Sequence, residues 1–287
     1  MFRRGVARLT DSVATGCAVG GKLAAMAIKV RTHISSSRGN CIQVDCEGAT
    51  LLLDCGFWSQ RACHAVLDGI HGDLLVLVSH AHKDHLSDSG LKAISRRAIS
   101  LRAHQCIMDQ LGVRHDLENA SYKPKLTAFT DMPFHFGPFL ITPVAVRHAP
   151  GFPNYAFVVE CGTGSAYRKL VICTDLCHAG DIAAELAGAD MIYLESNHDM
   201  DLLRLNPNPA SRFHLSNPHA AELVCDSVKN SGKWPQHILL GHLSQERNRP
   251  EIALQTLRDC FGQSGMRPDC TISAAPAMFA SAVLVVE

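Results

Sequence analysis

The sequence predicts an α/β (α+β) architecture in which two similar halves, each built of strands followed by helices, pack through their sheets. Three observations lead there. The chain has 287 residues, enough for one large or two small domains. Hydrophobic residues make up 47% of it, which supplies a sizeable core and excludes disorder, collagen-like repeats and coiled coil. Short apolar runs bounded by turn residues alternate with helix-period segments in both halves, with no fixed short repeat.

The leader comes first. Residues 1–25 carry Arg3, Arg4, Arg8 and Lys22 against the single acid Asp11, and read as a basic leader or disordered tail. Organelle targeting through this segment is the alternative to a cytoplasmic location, and Met26 is an alternative start. Residues 26–287 read as a single domain. Val30 to Ile34 and Cys41 to Cys46 are strands, with Ser35–Asn40 a turn by composition. Thr50 to Asp54 is a third strand ending in Asp-Cys-Gly. Ser59 to Ile70 is helical, with Ala62, Val66 and Leu67 on one face. Leu74 to Ser79 is a buried strand, and Ser87 is a good N-cap for a helix to Arg97.

In the second half, Leu126 to Glu160 is rich in β-branched and aromatic residues and reads as several strands. Leu170 to Thr174 and Met191 to Glu195 are buried strands. Asn217-Pro218 opens a helix to about Asn230. Ile238 to Leu240 is a strand, Pro250 to Phe261 a helix, and Ala282 to Val286 a closing strand.

Composition narrows the function. Lys and Arg total 27 against 27 Asp and Glu, so no bulk positive field advertises nucleic-acid binding, although a local basic patch stays open. The longest apolar run, Leu23 to Ile28, is about six residues, far short of the ~18 that span a bilayer, so no membrane association is expected. The 12 cysteines include no C-x-x-C pair and fall mostly in apolar segments, such as Cys41, Cys46, Cys55, Cys173 and Cys225. They read as buried thiols in a reducing compartment. No protein partner is inferable.

The 16 histidines are clustered, and the cluster carries the chemistry. His80-Ala81-His82-Lys83-Asp84-His85 is H-x-H-x-D-H on a tight loop between an apolar strand and a helix. His80 and His82, alternate residues, can face one cation; Asp84 and His85, past the turn, can face a second. Imidazole and carboxylate suit Zn²⁺, and mixed N/O sites also take Mn²⁺ or Fe²⁺. Four ligands cannot complete two sites, so further donors are needed at other strand ends. His148 follows Leu140 to Val146, Asp175 follows Leu170 to Thr174, and His242 follows Ile238 to Gly241. Histidines 33, 64, 71, 104, 115, 135, 178, 219 and 237 fit no such slot.

With these residues in order, the chain from about residue 27 to 287 resembles the metallo-β-lactamase fold superfamily. The resemblance implies a four-layer αββα sandwich, two mixed β-sheets flanked by helices, with a dinuclear metal site between the sheets. It implies that His80, His82 and His148 hold the first ion, that Asp84, His85 and His242 hold the second, and that Asp175 bridges. Asp54 then sits behind the ligands and orients the metal-binding loop.

Four strings resemble the YycJ/WalJ-type branch, near PhnP-like phosphodiesterases and RNase Z. They are Ser35–Asn40 (SSSRGN), Glu195–Asp199 (ESNHD), His214–Asn217 (HLSN) and Gly241–Asn248 (GHLSQERN). The chain departs from the branch pattern at Arg38, where a small residue is common, and at Phe213, where Gly usually precedes the histidine. His148 is followed by Ala149-Pro150 rather than Asp-Ala, and one extra residue separates Ser244 from Asn248. The segment between Asp175 and His242 is too short for an inserted β-CASP domain.

The branch implies a metal-dependent phosphodiester hydrolase, foremost a 5′-to-3′ exonuclease on DNA rather than RNA, with two divalent ions, Zn²⁺ before Mn²⁺. A small-molecule phosphodiesterase and an ester, thioester or lactone hydrolase on the same fold are the alternatives. A non-catalytic scaffold is disfavoured by the full ligand set. His214, at an expected helix entry outside the ligand set, is a candidate to contact phosphate or protonate the leaving oxygen. Asp84 is a candidate base. Glu195, His198 and Asp199 are candidates to orient a ligand or His214. Arg96, Arg97, Arg102, Lys123, Lys125, Arg212, Arg247 and Arg249 are candidate phosphate contacts.

Overall fold

The computed structural model describes residues 27–287, so the expected basic leader, 1–25, lies outside the described residues. The first half contains β1 (Ile28–Ser36), β2 (Gly39–Cys46), β3 (Ala49–Leu53), α1 (Gln60–Asp68), β4 (Asp73–Val78), α2 (Asp88–Arg96), β5 (Ser100–His104), α3 (Gln105–Arg114) and β6 (Lys125–Phe129). The second contains β7 (Phe134–Phe136), β8 (Phe139–Val146), β9 (Asn154–Cys161), β10 (Arg168–Cys173), α4 (Ala183–Leu186), β11 (Met191–Glu195), α5 (Met200–Leu205), α6 (Asn217–Ser231), β12 (His237–Gly241), α7 (Pro250–Gln263) and β13 (Thr271–Ala274). A last strand, β14 (Leu284–Val286), returns to the first half.

Two seven-stranded sheets result, ordered β14-β1-β2-β3-β4-β5-β6 and β13-β12-β11-β10-β9-β8-β7. Each begins as an antiparallel meander and turns parallel, from β3 onward in the first sheet and from β10 onward in the second. The parallel strands explain the uninterrupted apolar runs. Parallel sheets are covered on both faces, so alternation of apolar and polar residues disappears. Leu75 and Leu77 of β4 face the layer between the sheets, with Leu51, Phe139, Phe157 and Tyr193. Their neighbours Val76 and Val78 face the helices, with Leu67, Leu91, Ile94 and Ile107. In the same way Met191 and Tyr193 of β11 point inward, while Ile192 and Leu194 pack under Val224, Leu257 and Phe261 of α6 and α7. Helix, sheet, sheet and helix are therefore the four layers expected from the sequence.

Local signals fix the helix starts. Ser59 and Ser87 cap α1 and α2, each accepting a backbone N–H, from Ala62 at 3.1 Å and Gly90 at 2.9 Å. Helix α6 is capped by Ser216, one residue before the expected Asn217, and Pro218 occupies its first turn. Gly232, at φ +64°, closes it in the left-handed conformation that favours glycine. The expected turn Ser35–Asn40 is shorter than composition suggests. Ser35 pairs with Asn40 and Ser36 with Gly39, so the ladder continues and only Ser37 and Arg38 form the turn.

Besides the short helices α4 and α5, three elements have no clear sequence signal. Strand β5 carries Arg102 and His104, and Arg102 finds its partner only in space, 5.1 Å over the Phe134 ring. Helix α3 fully buries only Ile107 and Leu111, too few for a strong 3.6-residue pattern. Strand β13 lies at a sheet edge with no fully buried residue.

Leu77 is fully buried in the layer between the sheets. Leu77→Ala is expected to cost about 2–5 kcal/mol, from lost burial plus a residual cavity. Urea denaturation checks it; a cost below about 1 kcal/mol would mean that the layer is not close-packed there.

Candidate metal centre

The strands end together. Asp54 follows β3, Ser79 and the H-x-H-x-D-H loop follow β4, His148 follows β8, Asp175 follows β10, Glu195 ends β11 and His242 follows β12. All sit at carboxyl ends of strands, the edge where open α/β sheets present ligands.

The loop is held from behind by backbone. Asn40 N–H donates to the Asp84 carbonyl at 2.7 Å and Cys55 N–H to the His85 carbonyl at 2.7 Å. Gly56 lies so close that a Cβ there would overlap the Asp84 carbonyl, so the Asp-Cys-Gly turn needs its glycine for close approach. Asp54 adopts φ +65°, a conformation costly for a residue with a side chain. That backbone aims its carboxylate inward. Oδ1 accepts the Ser79 N–H at 2.8 Å, while Oδ2 accepts the Ser79 hydroxyl at 2.9 Å and the His85 Nδ1–H at 2.6 Å. His85 Nε2 is thereby turned toward Asp175 Oδ2, 2.9 Å away.

Donor atoms gather in two groups. His80 Nε2 and His82 Nδ1 are 2.9 Å apart, and His148 Nε2 is 3.3 Å from His82 Nδ1. Tetrahedral coordination at ~2.0–2.1 Å puts ligand nitrogens roughly 3.3 Å apart, so these three have the spacing one small ion requires. His148 donates its other N–H to the Phe213 carbonyl at 2.9 Å, which fixes the ring. In the second group, Asp84 Oδ2 lies 3.5 Å from both His85 Nε2 and His242 Nε2. Asp175 stands between, with Oδ2 toward His85 Nε2 and Oδ1 3.2 Å from His242 Nδ1 and 3.9 Å from His148 Nε2. Asp175 Oδ2 and His242 Nε2 are buried without a hydrogen-bond partner. Buried polar atoms of this kind, converging from separate strands, fit a divalent cation.

Electrostatics separates the groups. Burial holds His80, His82 and His148 below the ordinary histidine range, His82 down to about 4, so their imidazoles stay neutral and keep lone pairs for a metal. Around His85 and His242 burial acts the same way but is overcome by carboxylates. Asp175, Asp54 and Asp84 raise His85; Asp175, Asp84 and Glu195 push His242 up to about 10. The carboxylate-rich half demands positive charge, which a divalent ion satisfies in place of protons.

Glu195 is fully buried and accepts four N–H groups. Oε1 takes Nδ1–H of His214 at 2.6 Å and of His242 at 2.7 Å; Oε2 takes the backbone N–H of Leu176 at 3.0 Å and Leu215 at 3.1 Å. Both carboxylate oxygens are thus engaged by N–H groups, which fixes the Glu195 carboxylate against both histidines. His214 Nδ1 is also 3.4 Å from Asp175 Oδ1. Burial alone would depress His214, but the Glu195 carboxylate overcomes it and raises its pKa above the ordinary value. His214 follows a short 3-10 turn, Pro209–Phe213, and precedes the Ser216 cap, so it stands just outside the expected helix entry.

Other expected residues lie elsewhere. Asp199 caps α5, accepting N–H groups of Asp201 and Leu202. His198 is buried, and its backbone carbonyl accepts the Asn217 N–H at 2.9 Å. Arg97 pairs with Asp68, Arg96 bonds Gln60, Lys123 bonds the carbonyls of Leu117 and Glu118, and Arg102 sits over Phe134.

Residues to which the sequence assigned no site role complete the frame. The hydroxyls of Ser35 and Tyr193 are 2.5 Å apart, and Ser35 Oγ accepts the His242 N–H at 2.7 Å. This ties the first sheet to the second behind the donors. His242 itself adopts φ +52°, and a Cβ on the preceding Gly241 would overlap the Tyr193 ring. Phe152 packs on His82, ring centroids 4.2 Å apart. Ser79 and Gly241 carry a usable signal, a small polar residue and a glycine ending apolar strands beside a donor; Tyr193 and Phe152 carry none.

Residues 49–238 match the family described as Beta-lactamase superfamily domain. The chain belongs to the β-lactamase superfamily. Among its relatives, the Bacillus anthracis protein named exodeoxyribonuclease YycJ is 28% identical over 245 residues, covering 80% of this chain and 88% of that protein. Exodeoxyribonuclease WalJ of Streptococcus pneumoniae is 27% identical over 253 residues, covering 81% and 87%. The solved metallo-β-lactamase fold protein YhfI of Bacillus subtilis superposes with a TM-score of 0.65 at 18% identity, covering 89% of this chain and 99% of that one. The four-layer architecture is thus the superfamily's fold. With its clustered His and Asp donors this superfamily member is a metal-dependent hydrolase that binds divalent cations. Among the described residues no helix is long and apolar enough to cross a membrane.

Two variants probe the frame. Asp54→Asn, which weakens the hold on His85, is expected to reduce metal affinity about 10–100-fold by chelator competition. Gly241→Ala forces Tyr193 to move, and a loss of about 1–3 kcal/mol is expected in thermal or urea unfolding. Full metal affinity in the first, or full stability in the second, would contradict these roles.

Proposed function

We propose that this protein is a phosphodiester hydrolase acting on nucleic acid, specifically a 5′-to-3′ DNA exonuclease with two divalent ions. His80, His82 and His148 would hold one ion, Asp84, His85 and His242 the other, with Asp175 shared. A donor set dominated by imidazole favours Zn²⁺ over Mn²⁺. When bound, such ions supply Lewis acidity toward phosphate oxygens and lower the pKa of water.

The observation that carries the reading is the His214–Glu195 pair. Phosphodiester cleavage expels a poor leaving group, an alkoxide, which needs a proton. His214 is outside both donor groups yet 3.4 Å from Asp175. Glu195 holds Nδ1 and favours the protonated ring, leaving Nε2–H for the leaving oxygen. An ester or lactone hydrolase has less use for such an acid. Asp84, whose side chain is 21% exposed, faces solvent and can accept a hydrogen bond or a proton from the attacking water. His85 and His242 overcome the effect of its burial and keep it ionised. The relatives named exodeoxyribonucleases favour DNA as the substrate.

The test is cleavage of end-labelled single- and double-stranded DNA and RNA by the metal-loaded protein, beside bis(p-nitrophenyl) phosphate. Progressive shortening of DNA from the 5′ end is expected, abolished by His80→Ala and by chelation. His214→Ala should lower kcat on DNA by about 10²–10⁴-fold with metal content unchanged. Turnover of the small diester alone would make it a small-molecule phosphodiesterase, and no cleavage of any phosphate ester by metal-loaded protein would refute the reading.

A further inference from the structure

All four signature strings contribute to a cavity that metal binding does not explain. Its volume is about 350 Å³, at the small end of ligand-sized pockets. It is walled by the Ser37-Arg38 turn between β1 and β2, by Asn197 after β11, by the segment leading to His214, and by the loop after His242. Its lining is polar, with Ser37, Asn208 and Ser244 beside His214. The one acid in the lining, Glu246, is paired to Arg247 at 3.1 Å, and Arg247 also donates to the Asn206 carbonyl at 2.6 Å. Arg38 differs. It is exposed, and its guanidinium has no ion pair or hydrogen-bond partner among the described residues. Two departures from the branch pattern, Arg38 and the lengthened Gln245–Arg247 turn, thus line the same cavity.

Chemistry says what belongs there. If His214 protonates the leaving oxygen, the leaving fragment lies on the His214 side. In a 5′-to-3′ cut the leaving oxygen is O3′ of the terminal nucleotide. We propose that this cavity receives the 5′-terminal nucleotide and that Arg38 binds its 5′-phosphate. The inference rests on the phosphodiesterase reading above. Water oxygen bonds to the phosphorus between the first two nucleotides and one water proton passes to Asp84. The P–O3′ bond breaks, and O3′ takes the proton of His214 Nε2. The products are a nucleoside 5′-monophosphate and a strand one residue shorter. That strand carries a new 5′-phosphate, which is the group Arg38 recognises in the next cycle.

This gives a kinetic signature. On 3′-labelled DNA, a 5′-phosphate end should be cut at once, whereas a 5′-hydroxyl end should show a lag, its first cut roughly tenfold slower and later cuts at the common rate. Products should be mononucleotides. Arg38→Ala should bring the two first-cut rates together, and Arg38→Lys should restore part of the difference. Equal first-cut rates in the wild-type protein, or oligonucleotide products, would overturn the subsite while leaving phosphodiester hydrolysis standing. Cleavage of neither DNA would remove both claims.

Discussion

Asp54, Asp175 and Glu195 are essentially fully buried, and they lie within a few ångströms of one another's histidine partners at the ends of three strands. A buried carboxylate stays ionised only where positive charge or N–H donors surround it. The surrounding structure meets that requirement in two ways. Asp54 and Glu195 are saturated by N–H and O–H groups and so become rigid orienting members. Asp175 keeps one oxygen without a hydrogen bond, facing the donor groups. The division between carboxylates that orient and carboxylates left open to a cation follows from which hydrogen bonds are already made.

Precision here costs backbone strain. Asp54 and His242 both adopt left-handed conformations, and each follows the last residue of a strand whose neighbours are packed on both faces. Such conformations cost of order 1–3 kcal/mol and persist only where surrounding contacts dictate them. The contacts are specific: Asp54 N–H donates to the Leu77 carbonyl at 2.7 Å, and His242 N–H to Ser35. The Ser35–Tyr193 contact links the two sheets and lets the first sheet position a donor carried by the second.

The signature strings act mostly on one another. Asn217 and Asn248 exchange side-chain hydrogen bonds at 3.0 and 2.8 Å, and Ser196 Oγ donates to Asn217 at 2.7 Å. Asn197 donates its N–H to the Leu215 carbonyl and its side chain to the His242 carbonyl. These bonds knit together the loops that carry His214 and His242. Ser37, Arg38 and the Gln245–Arg247 turn line the cavity together with Asn197, His214 and Ser244.

Much of the fold was legible in the chain, for a physical reason. Strands buried on both faces write themselves as unbroken apolar runs, and helices written against them show a periodic stripe with a serine cap, as at Ser87. The candidate donors were legible as residue types too, because H-x-H-x-D-H compresses four side chains able to ligate a metal into one loop and each further candidate ends an apolar strand. Strand β5 was not, since Arg102 and His104 break its apolar run, and helix α3 and edge strand β13 were not, since each buries too little to impose a pattern. The division of labour among polar residues was also decided only in three dimensions. Asp199 reads like Glu195 in sequence, yet one caps a short helix and the other holds two histidines. Arg38 reads as an irregularity, yet it lines a cavity formed by four distant segments. Local sequence specifies what a residue can donate or accept; the tertiary fold determines which partners come within 3 Å, and so which groups are consumed and which remain for a ligand.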